Sequence, residues 1–374
     1  MIYLDNAATT KPCPAAVEAM NEALTEVWGN PSAVHGLGLR AEKTVKRARD
    51  QVAQALGCQP ERVYFTSGGT EGDNFALFST ARRCGKRGRH IITSAVEHHG
   101  VLNPALALRE QGFEVTVLSP GPGGAIDRRD LLAALRKDTI LVSLMLVNNE
   151  TGAVNDIQSL SRLVHQRSDA LFHTDAVQGF LKVPFRAGNL GADILTVSGH
   201  KVGGPKGVGA LYLGEKVHLP PFLYGGGQEK GLRSGTENVP AIAGFGAACE
   251  TYFPDLRQRL RSMETLKEAL LEGLKTQVPE AVVLGSHDAP HVVSLAVPGL
   301  RSQGLIGALE QREIYVSAGS ACSRGHRSHV LEALGLDPAL IDGSIRVSLG
   351  FETGEADITG FLQGLREAVT ELRA

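Results

Sequence analysis

Short apolar runs alternate with helical patterns through the first two thirds of the chain, and this alternation constrains the fold more than any other feature. The runs include "VYFT", "HIITSAV", "ILVSLMLV", "ADILTVSG" and "GVGALYL", and several of the segments between them have helical spacing. Short, nearly continuous apolar strands are typical of a largely parallel sheet that is buried on both faces. The sequence therefore predicts an α/β domain in which helices cover such a sheet.

The last third of the chain has a different pattern. A long amphipathic helical stretch runs over residues 241–277, and short elements such as "HVVSLAVPG" and "SIRVSLG" follow it. A chain of 374 residues is long for a single core. We predict a large α/β domain over residues 15–255 and a smaller α+β domain over residues 256–374, which residues 1–14 join and which a long connecting helix reaches.

Composition narrows the class of protein. Hydrophobic residues make up 43% and charged residues 21%, and the formal net charge is -2, which disfavours a nucleic-acid partner. The amino terminus does not resemble a signal peptide and no apolar run is long enough to span a bilayer, so we expect a cytoplasmic protein without a membrane partner. The five cysteines are scattered and include no CxxC pair, so we expect neither a disulfide framework nor a metal site.

A glycine-rich segment, "FTSGGTEGDN", joins one predicted strand to a helix. Glycines allow the backbone to approach an anion, and the free N–H groups at the start of a helix point at it. Thr70 can add a hydroxyl to such a phosphate site. The alternative interpretation is a tight strand-to-helix turn in which Thr70 is only the N-cap.

Polar residues also follow other predicted strands. "HTDAVQG" places Asp175 and Gln178 at the end of a strand that should be buried. A buried carboxylate is costly without a compensating partner, so Asp175 calls for a cation or a protonated ring nitrogen. The alternative is a helix cap. "VEHHGVL" and "VNNETG" place further polar side chains at two more strand ends.

Lys201 lies in "SGHKVGGPK", directly after an apolar run and before a glycine-rich turn. An amine in such a place can have a lowered pKa and attack an aldehyde. A phosphate site, a carboxylate for a pyridinium nitrogen, an imidazole for the ring face and an amine for the aldehyde are together what pyridoxal 5'-phosphate requires. The residues therefore predict an enzyme that binds this cofactor through Lys201.

Ten motifs carry a resemblance to a known family over nearly the whole chain: "YLDNAATT", "GNPSAVHGLG", "VYFTSGGTEGDN", "VEHHGVL", "VNNETGAV", "HTDAVQ", "SGHKVGGPKGVGALY", "GGGQEKGLRSGTENV", "SAGSACS" and "SIRVSLG". In this order they resemble the cysteine desulfurases of the NifS/IscS-like group, a branch of the class V aminotransferase superfamily of fold-type I enzymes. The resemblance implies a mostly parallel seven-stranded sheet in the large domain. It also implies a homodimer with pyridoxal phosphate near the subunit interface.

The resemblance also implies a role for each matching residue. The implied catalytic residues are Lys201, as the Schiff-base lysine, together with His98 and Cys322. The implied cofactor-binding residues are Gly69, Thr70, Ser198 and His200 around the phosphate, Thr236 for the phosphate of the neighbouring subunit, His98 on the ring face, Asp175 at the pyridinium nitrogen, Gln178 at the ring hydroxyl oxygen, and Asn149. Asn149 would also orient the substrate carboxylate, which Arg346 would bind bidentately.

Cys322 is the residue that would distinguish a desulfurase from an ordinary transaminase. It lies in a polar segment in which Arg324, His326, Arg327 and His329 would favour its thiolate. The resemblance implies that this thiolate attacks the sulfur of L-cysteine, so that L-alanine leaves and a persulfide remains. Taken alone, a single cysteine is more often an inert small hydrophobe.

Two departures from the family bear on the sulfur acceptor. The segment "SRGHRS" after Cys322 is shorter and more basic than in IscS-like enzymes, and the sequence stops soon after "REAVTELRA". We expect a sulfur-acceptor protein, either a scaffold or a sulfur carrier, that serves iron–sulfur cluster assembly or tRNA thiolation. The alternatives are a selenocysteine lyase or a cysteine lyase of the same superfamily, and a non-enzymatic assembly platform that kept the fold.

Overall fold

The computed structural model describes residues 1–318 and 327–374, and within them the fold is α/β. The strands are β1 (Ile2–Tyr3), β2 (Val63–Thr66), β3 (His90–Ser94), β4 (Glu114–Leu118), β5 (Thr139–Ser143), β6 (Leu171–Asp175), β7 (Ile194–Ser198), β8 (Gly209–Leu213), β9 (Val282–Leu284), β10 (Val292–Ala296), β11 (Ile314–Tyr315), β12 (Ser317–Ala318) and β13 (Ser344–Ser348). The helices are α1 (Pro14–Thr25), α2 (Gly36–Leu56), α3 (Gly69–Cys84), α4 (His99–Glu110), α5 (Arg128–Ala134), α6 (Ile157–Arg167), α7 (Ala187–Leu190), α8 (Val239–Tyr252), α9 (Leu256–Gln277), α10 (Ser302–Glu310), α11 (His329–Ala333), α12 (Pro338–Asp342) and α13 (Glu355–Arg373).

The central sheet has seven strands in the order β2-β8-β7-β6-β5-β3-β4. Strands β3 to β7 pair in parallel, whereas β8 runs antiparallel to both β2 and β7. Every residue of β3, β5, β7 and β8 is buried, as their continuous apolar patterns predict, whereas the edge strand β4 is partly exposed. The predicted mostly parallel seven-stranded sheet is confirmed. The loops that follow β3, β5, β6 and β7 therefore open at one edge of the sheet, where ligands bind in such folds.

A second sheet is antiparallel and has the order β12-β13-β10-β9. The amino terminus joins this part of the fold, because β1 pairs with β11 and Asp5 forms a bridge with Ser348. Leu4 lies in the same hydrophobic core as Met263 and Phe361. The exact division of the chain into residues 15–255 and the remainder stays a prediction.

The prediction of one long connecting helix is wrong, because this stretch forms two helices. Helix α8 ends at Tyr252 and α9 begins at Leu256, with Pro254 between them. Proline has no N–H to donate to the helical hydrogen-bond pattern, so the helix ends there. No helix among the described residues is both long and apolar enough to cross a membrane.

A buried ion pair fixes the turn that leads to Thr236. Glu229 accepts two hydrogen bonds from the guanidinium of Arg49, at 2.7 and 2.8 Å, and a third from the backbone N–H of Phe65 at 2.9 Å. The Glu229 side chain is 3% exposed. Because Phe65 belongs to β2, these contacts hold the turn against the edge of the central sheet.

Replacing Glu229 with alanine should lower the free energy of unfolding by about 3 kcal/mol, because Arg49 would be left with a largely buried, unpaired charge. Urea denaturation of the full chain measures this loss. The matched control is Glu272→Ala, which removes an exposed ion pair with Lys275 and should cost less than about 1 kcal/mol. Equal losses in the two variants would contradict the role given to Glu229.

Candidate active site

A cavity of about 260 Å³ opens at the edge of the central sheet where the parallel strands end. Its walls include most of the residues that the sequence singles out, from both ends of the chain. The predicted residues that line it are Gly69, Thr70, His98, Asn149, Asp175, Gln178, Ser198, His200, Lys201 and Arg346. Residues from β13 and from several loops of the central sheet thus meet around one space.

Two predicted residues are not found in the described wall of this cavity, for different reasons. Thr236 is exposed at the surface and is not part of the cavity wall. The role predicted for it concerns the neighbouring subunit, and so that role stays a prediction. Cys322 lies outside the described residues.

The amino-terminal end of α3 forms one wall. The helix begins at Gly69 and its N-cap is Gly68, which has no side chain to cap the helix, so the alternative in which Thr70 is the N-cap is wrong. A β-carbon on Gly69 would lie 2.9 Å from a methyl group of Val177, which explains the glycine at this position. The N–H groups of the first helical turn border the cavity and form a binding site for an anion such as a phosphate.

Asp175 ends β6 and is 6% exposed. Its Oδ1 accepts a hydrogen bond of 2.8 Å from the backbone N–H of Val177, in a turn rather than at a helix start, so the helix-cap interpretation does not apply. Burial raises the pKa of Asp175 to about 6, while that hydrogen bond and the charge of Lys201 oppose the rise. A protonated ring nitrogen facing this carboxylate would hold it in the ionised form.

Lys201 lies in a 3₁₀ turn, Gly199–Lys201, that directly follows β7. Its Nζ donates hydrogen bonds of 2.7 Å to the backbone carbonyl oxygens of Ala7 and Ala8. These carbonyls belong to the amino-terminal motif "LDNAATT", to which sequence reasoning gave no contact with the lysine. They hold the amine at the cavity wall.

His98 is the N-cap of α4, and its Nδ1 accepts a hydrogen bond of 3.0 Å from the backbone N–H of Gly100. A neutral ring in this contact carries its proton on Nε2. Burial, with smaller contributions from Lys201, His99 and His329, lowers the pKa of His98 to about 4. The imidazole is therefore uncharged at neutral pH and can lie against a flat ring without adding a positive charge.

His200 has a similar environment. Its Nδ1 lies 3.2 Å from the hydroxyl of Thr9, and burial together with Lys201 and Lys206 lowers the pKa of His200 to about 4. Near neutral pH this ring acts as a hydrogen-bonding group rather than as a cation.

Arg346, in the middle of β13, is 1% exposed. One of its terminal nitrogens donates to the carbonyl oxygen of Asn149 at 2.9 Å, and the other donates to Asp5 at 3.0 Å. These two contacts fix the plane of the guanidinium beside the cavity. A guanidinium fixed in this way suits a substrate carboxylate.

Gln178 contacts the amino-terminal segment as well. Its amide nitrogen donates to the carbonyl oxygen of Ala7 at 2.8 Å, and its amide oxygen lies 3.3 Å from Nε2 of the buried His291. The second amide hydrogen of Gln178 remains available to an acceptor in the cavity.

Sequence reasoning did not place Asp73 or His329 at the cavity, although both line it. Asp73 follows Gly69 by four residues on α3, and this helical spacing was a usable signal that it faces the same way. His329 begins α11; its ring centroid is 4.6 Å from that of His99, and its Nε2 is 2.9 Å from the carbonyl oxygen of Glu97. No local pattern indicates that contact, because the partners lie more than two hundred residues apart in the sequence.

The set of groups fits pyridoxal phosphate. The helix end offers an anion-binding site, Asp175 is a buried carboxylate that accepts a hydrogen bond from Val177, and the amine of Lys201 and the neutral ring of His98 border the same space. This combination of groups matches what pyridoxal phosphate requires.

The model of the family described as aminotransferase class-V matches residues 2–361. The chain belongs to the class-V aminotransferase family. A cysteine desulfurase of Nostoc sp. is 42% identical over 378 residues, which cover all of this chain and 94% of that protein. Among solved structures, a NifS-like protein has a TM-score of 0.93 at 36% identity and covers 99% of both chains. The structure titled SspA in complex with cysteine has a TM-score of 0.82 at 34% identity and covers 93% of this chain and 99% of that one.

The resemblance to cysteine desulfurases of the NifS/IscS-like group is thereby confirmed. Enzymes of this family depend on pyridoxal phosphate, and this is the cofactor of the chain.

Replacing Gly72 with alanine should lower the free energy of unfolding by about 1–3 kcal/mol, because the added methyl would lie 2.6 Å from Cγ2 of Thr196 on β7. It should also reduce cofactor loading, since α3 must move away from the sheet. Chemical denaturation and the absorbance of bound cofactor measure the two effects.

The matched control for this substitution is Gly188→Ala in α7. Nothing lies within 4 Å of the position of its new methyl, so stability should be unchanged or higher by a few tenths of a kcal/mol to about 1 kcal/mol. A Gly72→Ala protein as stable and as fully loaded as the control would refute the close packing of α3 on β7.

Proposed function

We propose that the chain is a pyridoxal-phosphate-dependent cysteine desulfurase that converts L-cysteine to L-alanine and transfers the sulfur to Cys322 as a persulfide. The observation that carries the proposal is the single cavity that Lys201, Asp175, His98 and Arg346 all line. A cofactor-binding lysine and a carboxylate-binding arginine on one small cavity are what an enzyme acting on amino acids requires.

The residues that would hold the cofactor divide by the part that each contacts. Bound pyridoxal phosphate supplies the electron sink that labilises bonds to the substrate α and β carbons. The residues proposed to hold it are Gly69, Thr70, Ser198 and His200 at the phosphate, Asp175 at the ring nitrogen, Gln178 at the ring oxygen, Asn149 and His98 beside the ring, and Thr236 from the neighbouring subunit.

The substrate carboxylate would bind Arg346. Asn149 and Asp5 already hold two of the guanidinium nitrogens, so the side chain needs little ordering when the substrate arrives. Preorganised donors of this kind lower the entropic cost of binding. The cysteine in the complex formed by the related SspA protein supports an amino-acid ligand of this size.

One side chain is placed to move a proton, and a second can donate a hydrogen bond beside it. The Nζ of Lys201 is held by two carbonyl oxygens at 2.7 Å and would take a proton from the substrate α carbon when it is not bonded to the cofactor. His98 borders the same cavity, and its neutral ring holds a proton on Nε2 that can form a hydrogen bond there.

The sulfur step balances without an external oxidant. The Cys322 thiolate bonds to the substrate sulfur while the bond between that sulfur and the substrate β carbon breaks. The electron pair of the broken bond stays on the carbon skeleton, which takes up protons and leaves as alanine. Of the basic residues expected to favour the thiolate, Arg327 pairs with Asp342 at 2.6 Å, and Nε2 of His329 lies 2.9 Å from the carbonyl oxygen of Glu97. Arg324 and His326 lie outside the described residues.

We also propose a homodimer, a sulfur-acceptor protein and a cytoplasmic location. Large apolar side chains near the amino-terminal helices are exposed in the single chain, including Trp28 at 66% and Val34 at 94%, which supports burial against a second subunit. The four cysteines among the described residues are all free, which supports a reducing compartment. The acceptor would be a scaffold or a carrier that serves iron–sulfur cluster assembly or tRNA thiolation.

Product analysis tests the proposal. The purified protein is incubated anaerobically with L-cysteine and a thiol reductant, and alanine, pyruvate and sulfide are measured together. Alanine equal to sulfide, without pyruvate, is the expected result. Pyruvate with ammonia and sulfide would identify a lyase instead, and turnover of selenocysteine alone would identify a selenocysteine lyase.

Replacing Arg346 with lysine should lower kcat/KM for cysteine by about 10- to 100-fold, mostly through KM, because lysine cannot form the bidentate contact. Cofactor absorbance should be retained. Steady-state kinetics with increasing cysteine measure the effect.

The control for this change is Arg312→Lys, which alters a partly exposed arginine that pairs with Glu367 and Glu371 and does not line the cavity, and should leave the kinetics unchanged. The role of Arg346 would be excluded by a KM that is the same in both variants.

A further inference from the structure

Asp73 is a buried acid with no role in the function proposed above. It lies on α3, is 1% exposed and lines the cavity. Its Oδ1 has no hydrogen-bond partner among the described residues. One side-chain atom each of Asp73, His98 and Asp175 lie within 4.8 Å of one another. Two carboxyl groups and a neutral imidazole therefore crowd one buried corner of the site.

Hydrogen bonds behind Asp73 bring no positive charge to it. Nδ1 of His173 lies 2.8 Å from the Ser143 hydroxyl, and its Nε2 lies 3.0 Å from the Thr196 hydroxyl, which in turn hydrogen-bonds Asp73. Burial lowers the pKa of His173 to about 3, so the ring is neutral. Its Nε2 is 3.6 Å from Oδ1 of Asp73, yet this contact is not an ion pair while the ring is uncharged.

The charges that face Asp73 from the other elements are unfavourable to its ionised form. Asp175 faces it from β6, and Glu97 adds a weaker effect from the loop before α4. Burial first, and then the charge of Asp175, raise the pKa of Asp73 well above its usual range, against the hydrogen bond from Thr196. The positive charge of Lys201 favours ionisation of Asp175 instead. Two buried carboxyls so close together cannot both ionise at low cost.

We propose that Asp73 remains a carboxylic acid at neutral pH and thereby keeps Asp175 ionised. Asp73 is then a positioning residue for the contact between Asp175 and the ring nitrogen of the cofactor. The proposal rests on the proposed function only for the role of Asp175. A protonated Oδ1 gives the unpartnered atom a hydrogen to donate, and the uncharged acid removes the repulsion that would otherwise push the proton onto Asp175. A buried oxygen without a hydrogen-bond partner bears a negative charge at a greater cost than it bears a neutral acid.

Infrared difference spectroscopy of the full-length protein with bound cofactor tests the protonation directly. The spectrum of the wild type minus that of Asp73→Asn at neutral pH should contain the carbonyl stretch of a protonated carboxyl group. Carboxylate bands alone in that difference would overturn the proposal. Glu97→Gln is the matched control, since burial raises the pKa of Glu97 to about 8; it should remove a separate band and leave that of Asp73 in place.

The dependence of stability on pH is a second test, and it needs no catalytic activity. A buried acid with a raised pKa holds its proton when folded and releases it on unfolding. Its contribution to stability is therefore present at low pH and is lost as pH rises. The melting temperature of the wild type should fall relative to that of Asp73→Asn between about pH 5 and pH 8. A difference between the wild type and this variant that does not change over the same range would show that Asp73 is ionised in the folded protein.

Cofactor affinity separates a positioning role from a purely structural one. Asp73→Asn imitates the neutral acid and should retain both the affinity for the cofactor and the absorbance of the bound cofactor. Asp73→Ser should weaken the affinity by about tenfold or more, since serine fills less space and cannot reach the same partners. Equal weakening in both variants would overturn the proposal. So would tight zinc binding that Asp73→Asn abolishes, because it would assign the three side chains to a metal site.

Should the product analysis show no alanine while the infrared band is present, the proposed function fails and the protonated Asp73 stands.

Discussion

The parallel pairing of β6 with β7 is the constraint on which the site depends. In this pairing Asp175 lies beside Thr196, so β6 ends at its carboxylate while β7 continues only two residues further to Ser198. The turn after β7 then places Lys201 at the same edge of the sheet as Asp175. Both side chains reach one cavity because parallel strands end together there, and the fixed backbone holds them without help from the ligand.

The amino-terminal segment joins the two halves of the site. Carbonyl oxygens of Ala7 and Ala8 hold the amine of Lys201, and the side chain of Asp5 holds the guanidinium of Arg346. These three residues lie close together in the sequence, although their partners are separated by about one hundred and fifty residues. A movement of this segment would therefore change the positions of Lys201 and Arg346 together. Such coupling fits an enzyme in which the two groups must act on one small molecule.

A second feature of the site is that several of its ionisable groups are buried. Asp175, Asp73 and His98 all have a pKa that burial moves toward the neutral form, and they share one cavity wall. Groups of this kind are stable only when a ligand or a neighbour compensates them. Pyridoxal phosphate offers a phosphate for the anion-binding helix end, a ring nitrogen for the carboxylate and an aldehyde for the amine, so one molecule satisfies all three groups.

The sequence predicted the site better than the details of the fold. Residues at strand ends could be found because apolar runs mark the strands and polar residues follow them, as with Asp175 and Lys201. The break between α8 and α9 was missed although Pro254 signals it, since the amphipathic pattern continues on both sides. The carbonyl partners of Lys201 and the contact of His329 with His99 could not be predicted, because backbone groups and long-range contacts leave no pattern in a single sequence. The role predicted for Thr236 concerns a neighbouring subunit and stays a prediction.

Transfer of sulfur to the protein tests the central claim most directly. The wild type and Cys322→Ala are incubated anaerobically with cysteine that carries radioactive sulfur, without reductant, and protein-bound label is measured before and after a thiol is added. The account predicts label on the wild type that the thiol releases, and none on the variant. Label that stays equal on both proteins, or full alanine production by the variant, would contradict a persulfide on Cys322.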